Sequence, residues 1–141
     1  GCGKGYADVM GIIIAAGVFA AGLREAGLID VFVQSLKESN EIARWGGSIG
    51  PFIMGVITGS GDAATLAFNE TVTPHAEDFR MSIQGLGGLA FLAGAAGHTA
   101  SPLAGVTILV SGMAMVSPIE VIKRTALPML AATIVCALIM V

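Results

Sequence analysis

The sequence predicts an all-α integral membrane chain in which two of the membrane-embedded segments are interrupted. Three observations lead there. Of the 141 residues 55% are hydrophobic and 12% charged, where a soluble domain carries about 25% charged residues. The apolar residues gather in long runs, and two of those runs are cut by short polar segments, TGSGDAAT and GHTASPLAG. Glycine is abundant, at 20 residues, while aromatics make up 6%, a composition that lets helices approach one another through small side chains.

Taken in order, residues 9–23 (VMGIIIAAGVFAAGL) form a nearly uncharged run. With its flanks this run reaches the ~20 residues of a spanning helix. The following GLIDVFVQSL sets Leu28, Val31, Phe32 and Leu36 opposite Asp30 and Gln34, the pattern of a short helix lying in the interface. Residues 37–44 are polar, a loop or a helix start, and Trp45 suits the aromatic belt. Residues 46–59 supply about 21 Å of helix against a hydrocarbon core of about 30 Å, so this run ends inside the membrane.

It ends at Gly59-Ser60-Gly61, where two glycines permit a reversal. Residues 62–78 resume a helical pattern. At 100° per residue Asp62, Thr65, Asn69 and Thr73 fall within about 80° of one another, a polar stripe that cannot face lipid. Residues 46–78 therefore read as a re-entrant hairpin shielded by protein. Residues 82–116 read as a broken helix, interrupted over 97–105, where Pro102 lacks an amide hydrogen and biases Ser101 away from helical geometry. One tilted broken helix and a second hairpin both fit its length. SPIEVIKR, residues 117–124, reads as a polar corner, and residues 125–141 as the last spanning helix.

Interrupted segments with polar residues at membrane depth point to a transporter's substrate and ion sites. Unwound backbone frees carbonyls for a cation, and helix N-termini turn N–H groups toward an anion. An ionisable group at that depth is by default a functional candidate, which singles out Asp62; its plainer role is to cap the helix that comes after it. Asn69 and Glu70 are either packing and rim residues or functional, and Asn69, on the polar stripe, is counted among the candidate substrate and ion contacts. His75 lies beside Glu77 and Asp78 and reads as a surface histidine, whereas His98, next to Thr99 and Ser101, is either a structural histidine or a substrate contact. Pro102 is mainly a helix breaker. Cys2 and Cys136 lie at opposite ends in no ligand spacing and are expected to be inert. A formal charge of −3 with no basic stripe excludes nucleic acid as a partner.

The segments GYADVMGIIIAAGVFAAGL, ITGSGDAATLAF, GHTASPLAG and MVSPIEVIKRTALPML, in this order, resemble the C-terminal part of the DcuC family of anaerobic C4-dicarboxylate carriers, within the ion transporter superfamily. The resemblance covers essentially the whole chain. It implies one inverted-repeat half of a secondary transporter, completed by an N-terminal repeat of the same parent protein. By resemblance Ser60, Gly61 and Thr65 match the hairpin tip, and Thr99, Ser101 and Pro102 the broken-helix motif, together holding a dicarboxylate such as succinate, fumarate or malate. Asp62 stands where a neutral Asn is familiar in the family, and His98 where Arg is. Both changes disfavour a dianion unless a cation or proton intervenes, which makes Asp62 a candidate sodium ligand and Na+ or H+ the candidate coupling ion; no cofactor is expected. The expected setting is the cytoplasmic (inner) membrane, crossed several times, in contact with lipid and as a homodimer. Two other readings compete: a carrier of the same superfamily for a different organic anion or an amino acid, and an intramembrane aspartyl protease suggested by G-S-G-D. The protease needs two carboxylates sharing a proton, and neither Asp8 nor Asp30 is placed to supply the second. No enzyme activity is expected.

Overall fold

The computed structural model describes residues 14, 18, 22, 25–27 and 40–140. The expected first spanning helix and interfacial helix lie largely outside the described residues. From Asn40 onward the chain is helical: α1 (Asn40–Thr58), α2 (Gly61–Thr71), a 3-10 segment (Thr73–Phe79), α3 (Ile83–Thr99), α4 (Gly105–Met113) and α5 (Pro118–Met140).

The first interruption falls where the glycines place it. α1 stops at Thr58, Gly59 takes φ +67°, and Ser60 opens α2 in an extended conformation, its hydroxyl accepting from the Ala63 N–H. The Thr58 hydroxyl donates to the Met54 carbonyl at 2.7 Å and accepts from the Ser60 N–H at 3.2 Å, closing the end of α1. α1 and α2 pack against each other, as hairpin arms must. The second arm is shorter than the pattern predicts. α2 ends at Thr71 and the chain tightens into the 3-10 segment, because Pro74 has no N–H to continue an α-helical ladder.

α3 is the centre of the bundle and packs against α1, α2 and α5. Its N-cap is Ser82, whose hydroxyl accepts from the Gly85 N–H at 2.9 Å. The α1–α3 contact brings backbones together. A Cβ on Gly55 would sit 2.6 Å from the Gly94 carbonyl, and one on Gly97 would collide with the Phe52 carbonyl. Lipid tails are as apolar as leucine, so such surfaces gain from close packing and not from leaving water. Two apolar clusters flank the seam: Phe68, Val72, Phe79 and Leu86 toward the 3-10 segment, and Phe52, Ala93 and Ala100 with Ala126 and Met129 of α5.

The second interruption is narrower than 97–105. α3 runs to Thr99, and the break covers 100–104, so His98 and Thr99 belong to the last turn of a helix. Pro102 constrains the chain only from Ser101 onward. The halves α3 and α4 make hardly any contact with each other, and α4 leans on α5.

α5 begins seven residues before the predicted 125. Ser117-Pro118-Ile119-Glu120 places a hydroxyl at the N-cap, accepting from the Glu120 N–H at 3.4 Å, and a proline in the first turn; Lys123 then pairs with Glu120 at 2.8 Å. The segment read as a corner is the polar start of the helix. Among the described helices α5 alone is long and apolar enough to cross a membrane. Its Leu127 and Ile139, and Val106, Leu109 and Met113 of α4, stand exposed. Apolar surface of this extent marks a face made for lipid or protein.

Candidate functional site

The two interruptions meet. The Ser101 hydroxyl, fully buried, donates to the Val56 carbonyl at 2.7 Å and accepts from the Leu103 N–H at 3.1 Å. His98 Nδ1 lies 2.7 Å from the Gly59 carbonyl. A Cβ on Gly59 would come within 2.9 Å of the Leu103 carbonyl carbon, so both φ and space demand glycine there.

Between the tip and the last turns of α3 lies a cavity of about 280 Å³, lined by Gly59, Ser60, Gly61, Asp62, Thr65, Phe91, Ala95, His98 and Thr99. Six of the nine residues predicted for the site, Ser60, Gly61, Asp62, Thr65, His98 and Thr99, share its wall. Asn69, Ser101 and Pro102 do not. Asn69 accepts from the Thr73 hydroxyl at 2.7 Å and faces Gly87 of α3, which makes it a packing residue of the α2–α3 seam. Ser101 fastens the break to the end of α1, and Pro102 borders a different hollow beside α5. A second cavity of about 270 Å³, mostly apolar, shares His98 and Thr99 with the first and is closed by α4 and α5.

Three features of the tip cavity bear on chemistry. The N-cap of α2 is Ser60, so Asp62, one step into the first turn, is released from the capping role and takes its place on the cavity wall. The first N–H groups of α2 have no intrahelical carbonyl and favour an anion. Thr65, 7% exposed, holds a hydroxyl with no hydrogen-bond partner, close to Gly94, where a Cβ would lie 2.6 Å away. Buried hydroxyls are nearly always bonded, so this one invites a ligand. Phe91 and Ala95 escaped the sequence reading, although the i, i+4, i+7 spacing of Phe91, Ala95 and His98 puts them on one helix face. Among the described residues no cluster of three or more His, Cys, Asp or Glu side chains forms a metal site.

Among the described residues, helices with an apolar exterior whose interruptions converge on a cavity that carries several polar groups have the make-up of a membrane transporter. The comparisons agree. The family described as C4-dicarboxylate anaerobic carrier, DcuC, matches residues 1–141. An uncharacterized transporter of Haemophilus influenzae is 58% identical over 140 residues, covering 99% of this chain and 50% of that protein. The anaerobic C4-dicarboxylate transporter DcuC of Escherichia coli K12 is 36% identical over 145 residues, covering 96% of this chain and 30% of the carrier. No solved structure matches. The chain belongs to the DcuC family, and it spans half the length or less of these relatives.

Proposed function

We propose that this chain forms one half of the translocation unit of a secondary carrier that moves C4-dicarboxylates across the cytoplasmic membrane, coupled to a cation or by exchange. The observation that carries the reading is the meeting of two helix interruptions on a cavity that holds an unpartnered, buried Thr65 hydroxyl and the first turn of α2. In this reading α1 and α2 form a re-entrant hairpin, α3 and α4 one broken helix, and α5 a spanning helix. The exposed apolar faces of α4 and α5 meet lipid and the N-terminal repeat of the parent. The α2 N-terminus and Thr65 receive one carboxylate of the substrate.

Asp62 sets the condition for binding. At 4 Å and an effective dielectric of ~20, an ionised Asp62 repels each substrate carboxylate by about 4 kcal/mol. A sodium ion or a proton on Asp62 removes that repulsion, which makes Asp62 the coupling residue. The test is succinate transport by the full-length parent in proteoliposomes, with sodium and pH gradients imposed separately. Uptake driven by one of the gradients, or counterflow against internal dicarboxylate, is expected. A parent that moves only other organic anions or amino acids would replace the substrate while leaving the carrier class in place.

A further inference from the structure

His98 has a geometry that a merely structural histidine does not require. Its Nδ1 lies 2.7 Å from the Gly59 carbonyl, and a carbonyl only accepts, so Nδ1 carries the hydrogen. In the neutral ring Nε2 is then the unprotonated nitrogen and the one polar atom the ring has left, on a residue that borders both cavities. A carboxylate arriving beside that lone pair is repelled by a neutral imidazole and attracted by an imidazolium. Nothing else in the wall supplies a positive charge: its other members are glycines, Ser60, Asp62, Thr65, Phe91, Ala95 and Thr99.

The titratable surroundings are simple among the described residues. α1 offers none between Trp45 and Thr58, and α3 has no titratable side chain but His98 itself. α4 has none; α2 brings Asp62 to the cavity and carries Glu70 two turns further on. α5 faces His98 with Val121 and Thr125 across the second cavity, and its Glu120, Lys123 and Arg124 sit at its polar start. The same wall carries Thr65, whose hydroxyl is buried near Gly94 without a partner.

We propose that His98 is the charge-recognition residue of this cavity: its Nδ1–H stays on the Gly59 carbonyl, and its Nε2 takes up one proton from solvent as a substrate carboxylate binds. The inference rests on the carrier reading above. The balance is one dianion and one proton entering the site together, with no bond broken in the protein. The Gly59 bond holds the ring in place while its charge changes.

The experiment is isothermal titration of succinate into the purified full-length parent at about pH 7.5, above the usual histidine range and far above that of carboxylates, in two buffers of different ionisation enthalpy. The difference in heat counts protons. Wild type is expected to take up close to one proton per succinate, and its affinity to fall by up to about tenfold per pH unit above this point. His98→Asn retains an N–H for the Gly59 carbonyl and lacks Nε2; it should bind more weakly and take up none. His98→Arg carries a fixed charge and should bind with a flat pH profile and no uptake, which keeps the test open if the Asn variant does not fold. With the proton assigned to His98 and sodium left to neutralise Asp62, Asp62→Asn should leave the proton count unchanged. Succinate binding by wild type without proton uptake, or with uptake that survives in His98→Arg, overturns the inference and spares the carrier reading. Absence of binding for every C4-dicarboxylate sinks both.

Discussion

Replacing Ser101 by alanine should destabilise the protein far more than it weakens substrate binding. The Val56 carbonyl sits in the last turn of α1, where its helical partner would be the Ser60 N–H, and that N–H is bonded to the Thr58 hydroxyl instead. The Ser101 hydroxyl takes its place at 2.7 Å and also accepts from the Leu103 N–H at 3.1 Å, in a joint with no exposed surface on Ser101. Removing it leaves a buried acceptor and a donor without their partner, at a cost of about 1–3 kcal/mol for one such group. Taking ~2 kcal/mol in sum, and at most about 2–4 °C per kcal/mol, the range of a 150–250-residue unit that a longer parent does not exceed, the melting temperature in detergent falls by up to about 4–8 °C. The assay is thermal unfolding of the full-length parent beside succinate affinity measured well below the transition. A Ser101→Ala variant that melts like wild type but binds succinate ten times more weakly would refute the clamp and return Ser101 to the substrate site.

Thr65→Val keeps the shape and deletes the unpartnered hydroxyl, so the empty protein should be as stable or ~1 kcal/mol more stable, with succinate affinity reduced about fivefold; unchanged affinity would leave Thr65 a packing residue. Asp62→Asn should leave stability within about 0.5 kcal/mol, since Ser60 supplies the cap, while the dependence of succinate affinity on the coupling cation is lost; identical sodium profiles at fixed pH would remove Asp62 from coupling. Ser60→Ala, which deletes the cap itself, should cost ~1 kcal/mol, read as a lower melting temperature. Gly97→Ala should prevent stable assembly, because its methyl group meets the Phe52 main chain and not a movable side chain; wild-type yield and melting would contradict the α1–α3 contact.

The range of each interaction decided whether it could be read from the sequence. The tip was legible because Gly59 and Gly61 are local signals, and Gly59 does adopt a conformation that glycine permits. The Asp62, Thr65, Asn69, Thr73 stripe was legible as periodicity, although its members serve different purposes: Asp62 and Thr65 border the cavity, and Asn69 and Thr73 the glycine seam. The early start of α5 was also written locally, as Ser-Pro-x-Glu, a capping arrangement with proline at the first helical position; the charges of the segment drew attention toward a loop. Ser101 and His98 could not be resolved that way. Their partners, Val56 and Gly59, lie 45 and 39 residues away, and nothing in the residue types around GHTASPLAG distinguishes a hydroxyl that clamps a break from one that meets a substrate. The cap of α2 is likewise decided by the turn, which places Ser60 there and leaves Asp62 inside the first turn.

Substrate occupancy of the tip cavity is read most directly by protection of a cysteine placed at Thr99, which lines that cavity and stands exposed, in a full-length parent freed of its other reactive thiols. Labelling by a water-soluble thiol reagent is followed with and without saturating succinate, and the variant is first confirmed to bind succinate. A cavity that holds the dicarboxylate predicts rapid labelling that slows at least severalfold when succinate is present, with half-protection at the succinate concentration that half-saturates binding. An equal labelling rate with the site saturated would place the substrate elsewhere and contradict the account.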